Sequence, residues 1–244
     1  MSTKIRLAAL NYTIVARANR TLRAAAMFLA FAANGWAGTF TFSNTNAIAV
    51  NDTGTPPIPG SLYPSSIMVS GLDFQSISHL SITLDGLTHS FPSDLDIVLA
   101  GPGGQLSMLM SEVGGNTKFP VTDLTITLDD LALNSLPIDS ALTSGTFKPT
   151  RQNPTLSFQF PSPAPAGSSS APASLSVFNG TDPNGTWNLF VVDESSPDSG
   201  TISSGWSMNV TTVPEPGNFE LAALAAGCVV AIRKWRKRSK RSTI

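Results

Sequence analysis

The segment Leu80-Ser81-Ile82-Thr83-Leu84 alternates apolar and polar side chains, and this period of two decides the fold class. Successive side chains of a β-strand point to opposite faces, so the pattern is typical of a half-buried strand. The same alternation recurs in four further segments: 95–99, 124–128, 187–191 and 206–210. Turn-forming sets such as Gly101-Pro102-Gly103-Gly104 and Asp182-Pro183-Asn184-Gly185 separate the segments.

No segment between Gly38 and Val213 shows a sustained helical period, and a parallel sheet would need helical crossovers. We therefore predict an all-β body, an antiparallel jelly-roll β-sandwich. Stretch 51–64 is predicted to be a linker behind an N-terminal strand that starts at Thr39, and 161–173 an exposed, extended insertion. Nine residues are predicted in the core: Leu80, Ile82, Leu84, Leu95, Ile97, Leu99, Trp187, Leu189 and Trp206.

The C-terminal segment contains, one after another, the parts expected of a membrane anchor. Val213-Pro214-Glu215-Pro216 precedes an apolar run, and the span 217–232 is slightly shorter than the roughly 20 residues of a transmembrane helix. We predict that this span enters the membrane and that the basic tail behind it stays cytoplasmic, with the preceding domain outside. That tail contains Arg233, Lys234, Arg236, Lys237, Arg238, Lys240 and Arg241.

The chain start matches this orientation. Five basic residues between Lys4 and Arg23 precede the apolar stretch 24–33, and small residues at Gly35 and Ala37 suit signal peptidase cleavage before Gly38. The predicted organisation is a signal peptide at 1–37, a strand and linker at 38–59, a β-sandwich at 60–212, and an anchoring segment at 213–244.

The two ends hide the charge of the body. Of fifteen Lys and Arg, five lie in the leader and seven in the tail, whereas only two of sixteen Asp and Glu lie outside the body. The body therefore carries a net charge of −11, which gives it no electrostatic footprint for nucleic acid. The one cysteine, Cys228, lies in the apolar tail, so no disulfide forms within the chain.

Two resemblances follow from these motifs. The order of Val213-Pro214-Glu215-Pro216, apolar span and basic tail resembles the PEP-CTERM sorting signal, which implies export, processing by an exosortase-type transpeptidase, and display. Segments of the body resemble the P-domain (P/Homo B domain) of proprotein convertases, which implies a jelly-roll module without chemistry of its own. Those segments include Asp94-Leu95-Asp96-Ile97, Gly101-Pro102-Gly103-Gly104, Asn184-Gly185-Thr186-Trp187, Val192-Asp193, Asp198-Ser199-Gly200 and Gly205-Trp206.

Catalytic residues are scarce. His79 and His89 are the only candidate bases, and no Gly-x-Ser-x-Gly elbow accompanies them. Both histidines are predicted to be structural, and the protein is predicted not to be an enzyme. Two separated histidines also lack the ligand spacing of a zinc site.

Carboxylates at strand ends are the candidate site. Asp94, Asp96, Asp193 and Asp198 could supply the hard oxygen ligands that Ca²⁺ prefers. The resemblance to the P-domain also implies a calcium site, because its bacterial relatives often bind calcium. Solvated turn acids are the alternative, and the alternation with Leu95 and Ile97 leaves open that Asp96 only faces solvent.

These observations predict a non-enzymatic, exported surface or extracellular-matrix protein with a structural or binding role. Its predicted partners are the exosortase, the membrane, and an exopolysaccharide or a secreted protease. One alternative is an accessory module that acts in trans with a secreted subtilisin-like protease. Another is a carbohydrate-binding module, for which the signal from exposed aromatic residues is poor: Tyr63 is the one tyrosine of the body, and Trp187 and Trp206 are predicted core.

Overall fold

The computed structural model describes residues 37–51, 54–72, 75–115, 117, 119–153 and 159–214. These residues form strands and three single-turn 3-10 helices, at Pro92–Asp94, Ser168–Ser170 and Leu175–Phe178, so the all-β prediction is confirmed. The strands are β1 Gly38–Asn44, β2 Ile48–Val50, β3 Ile58–Pro59, β4 Ser65–Val69, β5 Gln75–His89, β6 Leu95–Ala100, β7 Leu106–Ser111, β8 Val121–Asp129, β9 Gly145–Phe147, β10 Thr150–Arg151, β11 Gly185–Asp193, β12 Gly200–Ile202 and β13 Trp206–Pro214.

The strands form two sheets. Sheet A has the order β1-β13-β5-β12-β2, with β8 paired to β5 and β9 paired to β8. Sheet B has the order β10-β7-β6-β11-β3, with β4 paired to β11. The long strand β5 lies at the centre of sheet A. One of its edges pairs with β13 and then β12, and the other edge pairs with β8.

Most pairs are antiparallel as predicted, but two short pairs are parallel, and for these the prediction was wrong. β9 pairs with β8 in sheet A, and β10 pairs with β7 in sheet B. Parallel neighbours need a long connection, and residues 130–144 provide it between β8 and β9. The segment 145–151 thereby extends one edge of each sheet.

The main core lies between the sheets, and all nine predicted core residues are buried there. Trp187 packs edge-on against Phe178, with ring centroids 4.9 Å apart, and its indole N–H donates to the Pro183 carbonyl oxygen at 2.9 Å. The Trp206 indole N–H donates to Ser65 Oγ at 3.0 Å. Both tryptophans therefore bury large apolar rings while their polar N–H groups remain satisfied.

A second, smaller cluster covers the outer face of sheet B. Its members come from β6, β7, β11 and the segment 160–171: Val98, Ala100, Met108, Ala171 and Phe190, with Tyr63, Leu106, Phe160 and Ala164 packed against them. The predicted exposed insertion at 161–173 is thus partly wrong. Ala171 and Ser168 are buried because apolar side chains on this face of the sheet need a cover.

The predicted linker at 51–64 also contains structure. Ile58 and Pro59 form β3 against β11, and Ile58 is buried. β1 and β2 belong to sheet A, and the described residues fall within one compact unit, Ala37–Glu215.

The described part of the chain contains no helix with the length and apolar character to span a membrane. Val213 and Pro214 of the sorting motif end β13, where they pair with Ser76 and Gln75. Glu215 and Pro216, the apolar span 217–232, the basic tail and the signal peptide up to residue 36 lie outside the described residues.

Candidate functional site

Four strand ends meet at one end of the sandwich, beside three of the predicted acidic side chains. Leu95 at the start of β6 lies opposite Asp193 at the end of β11. In sheet A, His89 at the end of β5 lies opposite Gly200 of β12. A Cβ on Gly200 would overlap the Thr88 carbonyl oxygen and the His89 ring, so this close approach of β12 requires glycine.

A buried hydrogen bond between His89 and Asp193 joins the two sheets at this end. His89 Nε2 lies 3.2 Å from Asp193 Oδ2, and both side chains are 0% exposed. The Phe91 N–H donates to His89 Nδ1 at 3.1 Å, so Nδ1 is an acceptor and Nε2 carries the proton that faces Asp193. Asp193 Oδ1 accepts a second bond, from the Ser195 N–H at 3.0 Å. Both ring nitrogens of His89 therefore have hydrogen-bond partners.

Asp94 and Asp198 flank this pair. The Ser90 hydroxyl donates to Asp198 Oδ1 at 2.8 Å, which ties the loop before β12 to the end of β5. Asp94 Oδ2 is buried without a hydrogen-bond partner. Burial raises the pKa of Asp94 to about 6, and the neighbouring charges of Asp193 and Asp198 act in the same direction. The structure thus brings three of the four predicted acids together.

The fourth predicted acid, Asp96, belongs to a different group on the outer face of sheet B. Neither of its carboxyl oxygens has a hydrogen-bond partner of good geometry. Burial raises the pKa of Asp96 well above its usual range, and the neighbouring Glu194 carboxyl raises it further, while the Ser111 hydroxyl opposes the shift. Burial also raises the pKa of Glu194 and of Glu112, the latter partly opposed by the Arg151 charge.

Asp96 was predicted either to bind calcium or to face solvent, and the second expectation is wrong. It does point away from Leu95 and Ile97, but it is only 1% exposed. The face it occupies is the one that also carries the cluster around Val98, so a side chain there is covered although it lies outside the main core.

The donor chemistry of the site fits a hard cation in part. The buried Asp94 Oδ2 is costly to leave without a partner, and carboxylate oxygen is the ligand that Ca²⁺ takes, whereas the Asp96 carboxyl already interacts with Glu194 and Ser111. In contrast, Asp193 and Asp198 already accept bonds from His89, Ser195 and Ser90. Among the described residues, no group of three or more His, Cys, Asp or Glu is arranged to hold a metal ion.

Titratable groups away from this end of the sandwich have local roles. His79 Nε2 lies 3.2 Å from Asp129 Oδ2 on the surface, with side chains 31% and 20% exposed. Asp130 accepts bonds from the Ser174 hydroxyl and from the Leu175 and Ser176 N–H groups, which fixes the start of the 3-10 helix at 175–178. Glu112, which the sequence argument missed, becomes relevant only because β7 and β6 are neighbours.

The comparisons with known proteins assign no family. No family model and no curated protein matches the chain. Among solved structures, a serine protease of Aeromonas sobria aligns with 72% of this chain and 26% of its own, at 15% identity and a TM-score of 0.34. The complex of that protease with a chaperone aligns with 74% of this chain and 27% of its own, at 13% identity and a TM-score of 0.35. The chain therefore spans about a quarter of the length of these neighbours.

Proposed function

We propose that this chain is a non-enzymatic exported protein whose β-sandwich has a structural or binding role at the cell surface or in the extracellular matrix. The observation that carries the non-enzymatic part of the proposal is the state of the two histidines, the only residues that could serve as the histidine base of a Ser-His-Asp hydrolase. His89 is buried against Asp193 and fixed by Phe91, and His79 lies against Asp129. Both act as structural links in the described part of the chain.

The signals that determine where the protein is delivered are proposed to lie at the two ends of the chain. A signal peptide exports the chain, the span 217–232 halts it in the membrane, and an exosortase-type enzyme processes it at Val213-Pro214-Glu215-Pro216. The extent of the compact unit, Ala37–Glu215, supports this division, because it begins one residue before the proposed cleavage site and ends within the sorting motif. The proposal includes a jelly-roll connectivity related to the P/Homo B domain.

A calcium ion is proposed to stabilise the acidic end of the sandwich. Asp94 would provide a ligand, since its unpaired oxygen is buried, and Asp193 and Asp198 lie beside it. Asp96, in the separate group on the outer face of sheet B, is the alternative position for the ion. The bound ion would neutralise carboxylates that otherwise repel one another or retain protons. The proposed role of the ion is to stabilise the fold and not to catalyse a reaction.

Fractionation of cells that produce full-length variants tests the address. Deletion of 214–244 should release the protein into the medium, whereas replacement of Pro214-Glu215-Pro216 by alanines should leave it in the membrane and unprocessed. Alanines in place of Pro163-Ala164-Pro165, a proline-rich triplet in the 160–171 cover, provide the control and should leave localisation unchanged. Full-length protein in the cytoplasm of wild-type cells, with both ends intact, would overturn the proposal.

A further inference from the structure

The strand β1 forms an edge of sheet A that is longer than the other free edges of the described strands. It pairs with β13 over all seven residues without a register shift, and in the described part of the chain no strand lies on its other side. At about 3.4 Å per residue, this edge is about 24 Å long. The other strands that pair on one side only are β2, β3, β4, β9 and β10, with two to five residues each.

The β1 edge lacks the features by which sheet proteins keep an edge strand from pairing with another chain. Such edges usually carry charged side chains, proline or a bulge, or are short. β1 has none of these in its sequence Gly-Thr-Phe-Thr-Phe-Ser-Asn. β13 behind it and β4 beside it in sheet B also contain no charged residue. The backbone N–H and C=O groups on the free side of β1 therefore offer a neutral template for one more strand.

The side chains of β1 divide into aromatic rings on one face and hydroxyls on the other. Phe40 and Phe42 pack against the main core but are only half-buried. Thr39, Thr41 and Ser43 are exposed on the opposite face. Half-buried rings at a sheet edge leave apolar area in water, and a further strand at this edge would cover it.

The sequence of β1 is self-complementary around Thr41. A twofold axis through this residue, perpendicular to the sheet, pairs β1 antiparallel with the β1 of a second copy. Phe40 then lies opposite Phe42 of the second copy, Thr39 lies opposite Ser43, and Thr41 lies opposite itself. Aromatic rings meet aromatic rings towards the core and hydroxyls meet hydroxyls on the outer face, and cross-strand pairs of these kinds stabilise antiparallel strands. No charges meet, although each body carries a net charge of −11.

We infer that β1 binds the β1 strand of a second copy of this chain and joins two sandwiches into a symmetric dimer. An unlike strand would also satisfy the backbone, but a second copy matches the side chains at every position of the edge. The pairing occupies the free side of both β1 strands, so assembly closes at two copies. A contact between two strand edges is small for a permanent dimer, so the dimer depends on protein concentration. The inference concerns how copies associate, and it does not depend on the sorting signal.

Thiol cross-linking of the full-length protein in detergent tests the register. Cys228→Ser removes the native thiol, and a short bismaleimide is the cross-linker. Thr41→Cys should give a cross-linked dimer, because position 41 meets itself at the axis with Cβ atoms about 5 Å apart. Thr39→Cys alone is the matched control, and it should give about 10-fold less dimer because its two copies lie about 14 Å apart along the strands. A mixture of Thr39→Cys and Ser43→Cys proteins should restore the yield.

Sedimentation equilibrium in density-matched detergent tests the strength of the dimer. Thr41→Lys places two ammonium groups opposite each other at the axis and should weaken the dimer about 5-fold, although it lowers the net negative charge of each body. Thr122→Lys adds the same charge at an exposed position on β8 and should not weaken the dimer. Melting temperatures show whether each variant keeps its fold. Because the two bodies repel each other, added salt should strengthen the wild-type dimer.

Several results would overturn the inference. One is a wild type that stays monomeric at its highest soluble concentration, and another is a Thr39→Cys protein that cross-links by itself as well as Thr41→Cys does. A Thr41→Lys dimer as strong as wild type would assign the association to another part of the chain, such as the span 217–232. A wild-type dimer that dissociates in salt would assign it to charged contacts. None of these outcomes changes the fractionation result, so the proposed function stands or fails separately.

Discussion

His89 on β5 and Asp193 on β11 form a fully buried hydrogen bond of 3.2 Å that connects the two sheets at the acidic end. His79 and Asp129 have the same separation on the surface of sheet A, where they remain partly exposed. Comparison of the two pairs therefore shows how much burial, at an equal contact distance, adds to the stabilisation of the fold.

Replacement of His89 by alanine should lower the free energy of unfolding by about 3 kcal/mol, because it leaves the buried Asp193 carboxylate without its partner. His79→Ala is the control and should cost less than about 1 kcal/mol, since exposed pairs contribute little. Urea denaturation of residues 38–213 measures both. Equal losses in the two variants would contradict the structural role of the buried pair.

Trp187→Ala should cost about 3 to 5 kcal/mol through loss of apolar burial and the cavity that remains. The isolated domain, residues 38–213, should nevertheless give a β-rich circular dichroism spectrum. Leu133→Ala, at a side chain that is 89% exposed, provides the control and should change stability by less than about 0.5 kcal/mol. Substantial helix in the wild-type spectrum would contradict the fold.

The acids with raised pKa values predict a pH dependence in the presence of a chelator. A carboxyl whose pKa is higher in the folded state binds protons more tightly there, so its stabilising contribution is complete below about pH 4. The contribution of Asp94 is lost as the pH rises through about 6, and that of Asp96 is lost at higher pH. Stability attributable to these groups therefore falls as the pH rises.

Asp96→Asn mimics the protonated acid at every pH. In chelator it should be less stable relative to wild type at pH 5 than at pH 8, because the wild-type carboxyl is ionised in the unfolded chain and folding at pH 8 requires it to take up a proton. Asp139→Asn, at an exposed position, should show no such change in its difference from wild type. Parallel stability curves for wild type and Asp96→Asn would contradict the raised pKa.

Calcium at 100 times its dissociation constant should stabilise the domain by about 2.7 kcal/mol. For a domain of this size, that corresponds to a rise in melting temperature of about 5 to 11 °C. Asp94→Asn should reduce the rise if the ion binds beside Asp193 and Asp198, and Asp96→Asn should reduce it if the ion binds in the group on the outer face of sheet B. Asp193→Asn should reduce the rise if Asp193, one of the two acids beside Asp94, is also a ligand. An unchanged melting temperature between millimolar calcium and excess chelator would contradict a calcium-binding role for all four acids.

The sequence predicted the strands and the core because period-two alternation and burial are local properties. The polar residues next to Leu80, Ile82 and Trp187 in the sequence indicate which face of the strand each apolar side chain occupies, and all three are buried. The cover over sheet B could not be predicted in this way, since Phe160 and Ala171 meet Val98 only through tertiary packing. For the same reason, alternation gave the direction of Asp96 correctly but not its burial.

The parallel pairs and the division of the acids also depend on tertiary structure. Nothing local to Gly145–Phe147 indicates that it lies beside β8 in the same direction, because a long connection permits either orientation. Asp193 and Glu194 are adjacent in sequence but act on different acids. Of these two charges, Asp193 raises the pKa of Asp94 more, and Glu194 raises the pKa of Asp96. Only the arrangement of β6 and β11 establishes which acids interact.

Intact-mass and terminal-peptide spectrometry of the protein recovered from the surface of producing cells tests the central proposal most directly. The account predicts an N-terminus at Gly38 and a C-terminus near Val213-Pro214-Glu215-Pro216, without Arg233 or any later basic residue. Mature wild-type protein that retains the complete basic tail to Ile244 would contradict the sorting signal and, with it, the proposed route to the surface.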